Sequence, residues 1–120
     1  MATRPFFCPI DVTLSMISGK WKPMILYLLK KGPQRFNGLL AQMPGISHKV
    51  LTQQLRSLEQ DGIIERAVDA KDVVGYRMTE FGRTLRPALA ELAAWGIKHR
   101  RRHAESAGSA GQRRGDFTVT

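Results

Sequence analysis

The chain has 120 residues, 42% of them apolar, which is enough for one domain with a single hydrophobic core and too little for a second domain of ordinary size. Its formal net charge of +9 predicts an acidic partner, with nucleic acid first, an anionic membrane surface second and an acidic protein third. The sequence lacks an apolar run of about 18 residues and a secretory apolar segment at its start, so we predict no membrane association. A single cysteine excludes an intrachain disulfide, and we expect a cytoplasmic protein.

The first predicted helix covers about residues 9–17. A proline suits the first position of a helix, which places Cys8 at the N-cap. The helix dipole favours a thiolate there, whereas the carboxylate of Asp11 opposes it. Two interpretations therefore stay open for this cysteine: a reactive thiol, or a small buried apolar side chain. Three apolar residues share one face of this helix: Ile10, Leu14 and Ile17.

The second predicted helix follows the sequence KWKP and is apolar on most sides, which is typical of a central core helix. Trp21 is predicted to cover one end of that core, and stacking on nucleic acid is the alternative. A short extended segment from Pro33 to Phe36 comes next. Asn37 is then the predicted N-cap of a brief helix that ends near Met43.

The stretch PGISHKVLTQQLRSLEQDG predicts a helix from about Ser47 to Asp61, because Ser47 can cap its start and Gly62 can supply a left-handed end. Leucines spaced for one face predict a buried stripe: Leu51, Leu55 and Leu58. The opposite face carries hydrogen-bond donors: His48, Lys49, Thr52, Gln53 and Arg56. Such a face suits the acceptor edges of bases and the phosphates beside them, and a merely solvated face is the alternative. Together with the brief helix and the break at 44–46, it predicts a helix-turn-helix.

After Gly62 the apolar pattern changes from a helical period to strict alternation, which predicts a β-hairpin with strands near 64–68 and 74–78. A hairpin that directly follows a recognition helix forms a wing. Its candidate contacts to phosphate or to the minor groove are Arg66, Lys71 and Arg77. Asp69 and Asp72 weaken that assignment at the tip, and a solvated hairpin is the alternative.

The last long helix is predicted to begin at Thr79, and Pro87 predicts a kink or a restart within it. Its apolar face is longer than a small domain needs for its own core. We therefore expect it to form a dimer interface with the first helix as its neighbour. The predicted interface residues are Ile10, Leu14, Leu89, Leu92 and Trp95.

The C-terminal end offers little chemistry. His99 and His103 lie four residues apart, a spacing that metal ligands use, but no third ligand accompanies them. We predict neither a metal nor another cofactor. From residue 104 to 120 the high content of Ser, Gly, Ala and Arg predicts a disordered basic tail, which leaves residues 1–103 as the folded domain.

Three stretches of the chain closely resemble the HxlR-type transcriptional regulators, winged-helix proteins related to the MarR type. The stretches are CPIDVTLSMISGKWKPMILYLL, GPQRFNGLLAQMPGISHKVLTQQLRSLEQDGIIER and YRMTEFGRTLRPALAELAAWG, which together cover about residues 7–100. The resemblance implies an α+β, mainly α fold: a winged helix-turn-helix with a two-stranded wing and with N- and C-terminal dimerisation helices. It also implies a bacterial homodimer that binds double-stranded DNA. The wing AVDAKDVVGYRMT departs from the family, since it is shorter than usual and lacks the prolines and the arginine common at its tip.

The resemblance places Ser47 and the five donors named above on the recognition helix. Cys8 falls where many members of the family keep a cysteine, which in some of them senses quinones, aldehydes or oxidants. We therefore predict a sequence-specific homodimeric transcriptional regulator of a pseudo-palindromic operator, with a redox or electrophile response through Cys8. The alternative is a basic protein that coats nucleic acid without sequence preference. Paired carboxylates, a Ser/His/Asp order and a phosphate-binding glycine loop are all absent from the sequence, so we do not predict an enzyme.

Overall fold

The protein consists of helices and one small antiparallel sheet. A computed structural model describes its backbone over residues 7–110 and its side chains over 7–102. This mainly helical α+β arrangement confirms the predicted fold class. The elements, in chain order, are α1 (Pro9–Ile17), α2 (Lys22–Leu29), β1 (Gln34–Arg35), α3 (Phe36–Ala41), α4 (His48–Gln60), β2 (Ile64–Val68), β3 (Val74–Met78), α5 (Glu80–Arg83) and α6 (Arg86–Ala110).

One apolar core fixes α4 in place. The predicted leucine stripe of α4 is at most 1% exposed, so one side of this helix is fully buried and the other is free for a partner. Trp21 packs against the edge of the core, as predicted. A hydrogen bond of 2.6 Å from Lys22 Nζ to Ser57 Oγ ties α2 to α4. The buried residues are Ile17, Ile25, Leu26, Leu29, Leu39, Met43, Leu51, Leu55, Leu58, Ile63, Ile64 and Met78.

The sheet has the order β1-β3-β2, and both pairings are antiparallel. The β2–β3 hairpin confirms the predicted wing, whereas β1 adds a strand that the sequence indicated only as an extended segment. Gly75 makes that third strand possible: a Cβ at this position would lie 2.8 Å from the carbonyl oxygen of Gln34, closer than packed atoms allow. The half of the wing next to its tip is therefore joined directly to the segment that leads into α3.

The start of α3 differs from the prediction. The helix begins at Phe36, and its N-cap is Arg35 in an extended conformation, so Asn37 lies inside the first turn and caps nothing. The reason is that the chain passes from β1 straight into α3, and the last residue of the strand already occupies the N-cap position. The helix ends at Ala41, two residues before Met43, which is buried in the core.

In the C-terminal region a new helix begins next to Pro87, where this proline predicted a restart. α5 is a short helix capped by Thr79, and α6 begins at Arg86 with Pro87 in its first turn, where the missing N–H costs no hydrogen bond. α6 then continues to Ala110, past the point where a disordered tail was predicted to begin. The rest of that predicted tail, 111–120, lies outside the described residues. In the part of the chain that the structure describes, each helix is too short or too polar to cross a bilayer.

Candidate nucleic-acid interface

The recognition helix α4 starts as its sequence predicts. Ser47 is extended, and its hydroxyl oxygen accepts a hydrogen bond of 3.0 Å from the backbone N–H of Val50, which satisfies one of the unpaired donors at the start of the helix. His48, the first helical residue, has its ring 4.5 Å from the ring of Phe36. The first residue of α3 therefore restricts the orientation of the first side chain of α4.

The polar face of α4 is exposed along its first two turns. Its side chains do not all offer the same chemistry, because the hydroxyl of Thr52 donates to the carbonyl oxygen of His48 at 2.9 Å. Its hydroxyl proton is used within the helix, and Thr52 offers a partner only oxygen lone pairs and a methyl group. The solvent-exposed residues of this face are Ser47, His48, Lys49, Gln53 and Arg56.

The wing places two of its three predicted DNA contacts in ion pairs with carboxylates. Arg77 Nε lies 2.8 Å from Glu65 Oε2, its partner across the hairpin, and Arg66 Nε lies 3.3 Å from Glu59 Oε2 at the end of α4. Lys71, at the tip, is exposed and has no carboxylate within ion-pair distance among the described side chains. The three cations therefore differ in what they can offer a phosphate.

Asp69 organises the tip of the wing. Its Oδ1 accepts hydrogen bonds from the backbone N–H groups of Lys71 and Val73, at 2.8 and 3.0 Å, and its Oδ2 accepts a bond of 2.8 Å from Nε of Arg35. The bond from Val73 and the neighbouring Arg35 guanidinium hold the pKa of Asp69 below its usual value. The sequence indicated only that this acid weakens the assignment of DNA contacts at the wing tip. The preference of aspartate for turns is a local signal for its hydrogen bonds to the backbone of the turn. Its contact with Arg35 leaves no local signal, because the two residues lie 34 positions apart in the sequence.

An apolar groove of about 1140 Å³ runs between α1, α2 and α6. The exposed apolar side chains at and beside it include Ile10 at 68%, Leu92 at 59% and Trp95 at 66%. Leu14 is also exposed, whereas Leu89 is half-buried and packs against the core. The structure thus brings the five predicted interface residues onto neighbouring helices. Exposed apolar area of this kind marks an interaction surface.

Cys8 is the N-cap residue of α1, and its thiol is exposed in the protomer. Its backbone is extended and its side chain makes no capping hydrogen bond. The buried alternative for this cysteine is therefore wrong. Phe7, immediately before it, is 90% exposed.

The chain matches the HxlR-like helix-turn-helix family over residues 16–104. It belongs to that family. An HTH-type transcriptional regulator of Bacillus subtilis, the uncharacterized YdeP, is 45% identical to it over 97 residues, which is 79% of this chain and 76% of YdeP. This HxlR-like protein is accordingly a transcriptional regulator of the helix-turn-helix type, a class of proteins that bind DNA.

Solved structures give the same fold to HxlR-like relatives. The redox regulator HypR in its reduced form superposes with a TM-score of 0.72 at 42% identity, over 78% of this chain and 94% of HypR. The quinone-bound YodB of Bacillus subtilis superposes with a TM-score of 0.65 at 34% identity, over 77% of this chain and 99% of YodB. Both comparisons confirm the winged helix-turn-helix assignment.

Among the described side chains, no further metal ligands gather around His99. The ring of His99 lies 4.3 Å from that of Trp95, and the side chain of His103 lies outside the described ones. Within the described residues, no three His, Cys, Asp or Glu side chains converge in a way that could hold a metal ion.

Proposed function

We propose that this protein regulates transcription as a homodimer that binds a pseudo-palindromic operator in double-stranded DNA. One observation carries the proposal: α4 has a fully buried leucine stripe and, opposite it, an exposed donor face. The acids of α4 and its C-cap, Glu59 and Asp61, lie at the far end of the helix, and Glu59 is neutralised by Arg66. A rigid helix with donors at its front suits insertion into a major groove.

The side chains of α4 divide by the contacts that they suit. Lys49 and Arg56 carry full charges and suit phosphates, which supply most of the affinity and make it depend on salt. Gln53 suits an adenine edge, where an amide can make two hydrogen bonds. His48 and the methyl and hydroxyl groups of Thr52 suit neighbouring base edges. Ser47 holds the start of the helix in place by capping it.

The homodimer would be formed by α1 and α6. Leu92 and Trp95 expose more than half of their surface in the protomer, and burying them in a partner copy would remove apolar area from water. Two-fold symmetry then requires the two α4 helices to enter major grooves about one helical turn apart, roughly 34 to 36 Å.

We further infer that Cys8 makes the regulator sensitive to electrophiles or oxidants. Its thiol is exposed at a helix start, next to the proposed interface. The similarity to the redox regulator HypR and to quinone-bound YodB supports the same chemistry here. With one cysteine in each chain, the products open to it are an adduct or a disulfide between the two protomers.

Binding to the DNA upstream of the protein's own gene, compared with scrambled DNA of equal length at physiological salt, tests the proposal. A preference of about a thousandfold or more is expected of a specific regulator. Equal affinity for both DNAs would instead indicate a basic protein that coats nucleic acid.

A variant pair sharpens that experiment. Gln53→Ala should weaken operator binding by about tenfold or more, since a good bidentate base contact contributes about 1–3 kcal/mol, and should leave binding to scrambled DNA almost unchanged. Gln60→Ala, at the exposed far end of the same helix, is the matched control and should bind the operator like the wild type. An equal loss on both DNAs would contradict the role of Gln53 in reading a base.

A further inference from the structure

Among the described side chains, Lys71 is the one cation of the predicted wing contacts without a carboxylate partner. The charges of Arg66 and Arg77 are offset by Glu59 and Glu65, which weakens the attraction of either arginine for a phosphate. Lys71, however, lies in the turn between β2 and β3, where side chains are mobile unless the turn itself is held.

Hydrogen bonds to Asp69 hold that turn. Besides the two that its Oδ1 accepts, its backbone N–H donates to the carbonyl oxygen of Val73 at 3.0 Å, and its own carbonyl oxygen accepts from the N–H of Asp72 at 2.9 Å. Asp72 has a φ of 61°, the left-handed conformation that closes the turn. The backbone of Lys71, between these two residues, is therefore restrained on both sides.

The guanidinium of Arg35 connects the restrained turn to the helix-turn-helix. Its Nε lies 2.8 Å and its Nη2 2.5 Å from Oδ2 of Asp69. Arg35 is both the last residue of β1 and the N-cap of α3, and β1 is paired with β3 through Gly75. The wing is thus attached to the start of α3 at two points close to its tip: by the pairing of β1 with Gly75 and Tyr76, and by this ion pair at the turn.

We propose that Arg35 and Asp69 form a clamp that positions Lys71, so that the wing tip meets the DNA backbone in register with α4. This proposal rests on the proposed function, because the clamp affects binding only when α4 is bound to an operator. Arg35 and Asp69 are both partly exposed, and an exposed ion pair contributes little to global stability. Its effect is local: it removes the freedom of the wing tip before DNA binds, so that less conformational entropy is lost on binding.

A double-mutant cycle on the full-length protein tests the clamp. Lys71→Gln should weaken operator binding by about fivefold at 0.15 M salt and lower the salt slope by about one, the values for one lost phosphate contact. The same substitution is then made in a background that carries Arg35→Gln and Asp69→Asn. This background removes one charge of each sign, keeps the net charge unchanged and leaves no carboxylate at position 69; the carboxylate of Asp72 is present in both backgrounds.

We expect Lys71→Gln to cost less than about twofold in that background, because a wing tip that is no longer tied to Arg35 gains little from its cation. Arg35→Lys keeps a cation opposite Asp69 and should retain most of the fivefold effect. Lys98→Gln, on the exposed surface of α6, is the control for removal of a positive charge and should leave the salt slope unchanged.

Two results would overturn the clamp while leaving the proposed function intact. One is an equal loss from Lys71→Gln in both backgrounds, since Lys71 would then act without the ion pair. The other is that Lys71→Gln causes no loss of operator binding in the wild-type background, although the wild-type protein prefers the operator over scrambled DNA. A wild-type protein without any operator preference would overturn the proposed function, and the clamp with it.

Discussion

Among the described glycines, Gly82 is the position at which an added methyl group should destabilise the fold most. It is buried in α5, and a Cβ built on it would lie 2.0 Å from the carbonyl oxygen of Ile63. That oxygen accepts a hydrogen bond of 3.0 Å from the backbone N–H of Thr79, while the hydroxyl of Thr79 donates at 2.6 Å to the neighbouring carbonyl oxygen of Gly62. Because the obstructing atom belongs to the backbone between α4 and β2, it cannot swing aside as a side chain could. Gly82→Ala must push α5 away from this junction.

The expected loss follows from those contacts. The two hydrogen bonds from Thr79, to the carbonyl oxygens of Ile63 and Gly62, contribute about 1 kcal/mol each, and forcing a methyl group into a packed site costs about 1–3 kcal/mol. Alanine recovers about 0.5–1 kcal/mol through its better helix propensity. The free energy of unfolding should therefore fall by about 3 kcal/mol, which for a domain of this size lowers the melting temperature by about 10 °C.

Urea unfolding followed by far-UV circular dichroism measures this loss. All variants need the same protein concentration, because dimerisation makes apparent stability depend on concentration. Gly38→Ala is the matched control: it is also in a short helix, but its new Cβ would lie 3.6 Å from a side-chain oxygen of Gln34, an ordinary contact. The control should be as stable as the wild type or up to about 1 kcal/mol more stable. If Gly82→Ala unfolded at the same urea concentration as the control, the close approach of α5 to Ile63 would be refuted.

Four further predictions concern the core, the interface, the wing and the thiol. Leu55→Ala should lower the free energy of unfolding by about 2–5 kcal/mol in the same urea assay, because the side chain is 1% exposed; a loss under about 1 kcal/mol would contradict its place in the core. Leu92→Lys should give a folded monomer by light scattering, since the side chain is exposed in the protomer, and a persistent dimer would count against α6 as the interface. The lowered pKa of Asp69 means that its carboxylate stabilises the fold fully above its ordinary value of 3.8, and that this contribution is lost as pH falls through the lower folded value. The stability difference between wild type and Asp69→Asn should therefore shrink on acidification below pH 3.8, whereas a constant difference would show that the charge is irrelevant. Cys8→Ser should bind DNA like the wild type but no longer respond to quinone, and an unchanged response would exclude Cys8 as the sensor.

Features encoded by neighbouring residues were predictable. The bounds of α4 follow from a capping serine, a glycine stop and the leucine period, all within one stretch of sequence, and the structure agrees to within a residue at each end. The restart at Pro87 and the β2–β3 hairpin have equally local causes. The ion pair between Glu65 and Arg77 was not predicted, because it depends on the register of the hairpin, which brings the two residues opposite each other.

Features that depend on distant residues were not predictable from local patterns. The pairing of β1 with β3 needs Gly75, 41 positions after Gln34 in the sequence, and it moves the start of α3 so that Asn37 cannot cap the helix. The exposure of Cys8 depends on what packs around α1, which its own sequence does not specify. The contact between Arg35 and Asp69 has the same origin, since only the folded sheet brings them together.

The length of α6 gives the proposed dimer mechanical leverage. At 1.5 Å per residue, its 25 residues form a rod about 37 Å long. In a dimer joined along this rod, a rotation of about 5° displaces its far end by about 3 Å, close to the 3.4 Å that separates successive bases of a strand. A chemical event confined to one side chain near the joint could therefore move parts of the partner copy that lie this far from the joint by about one base step.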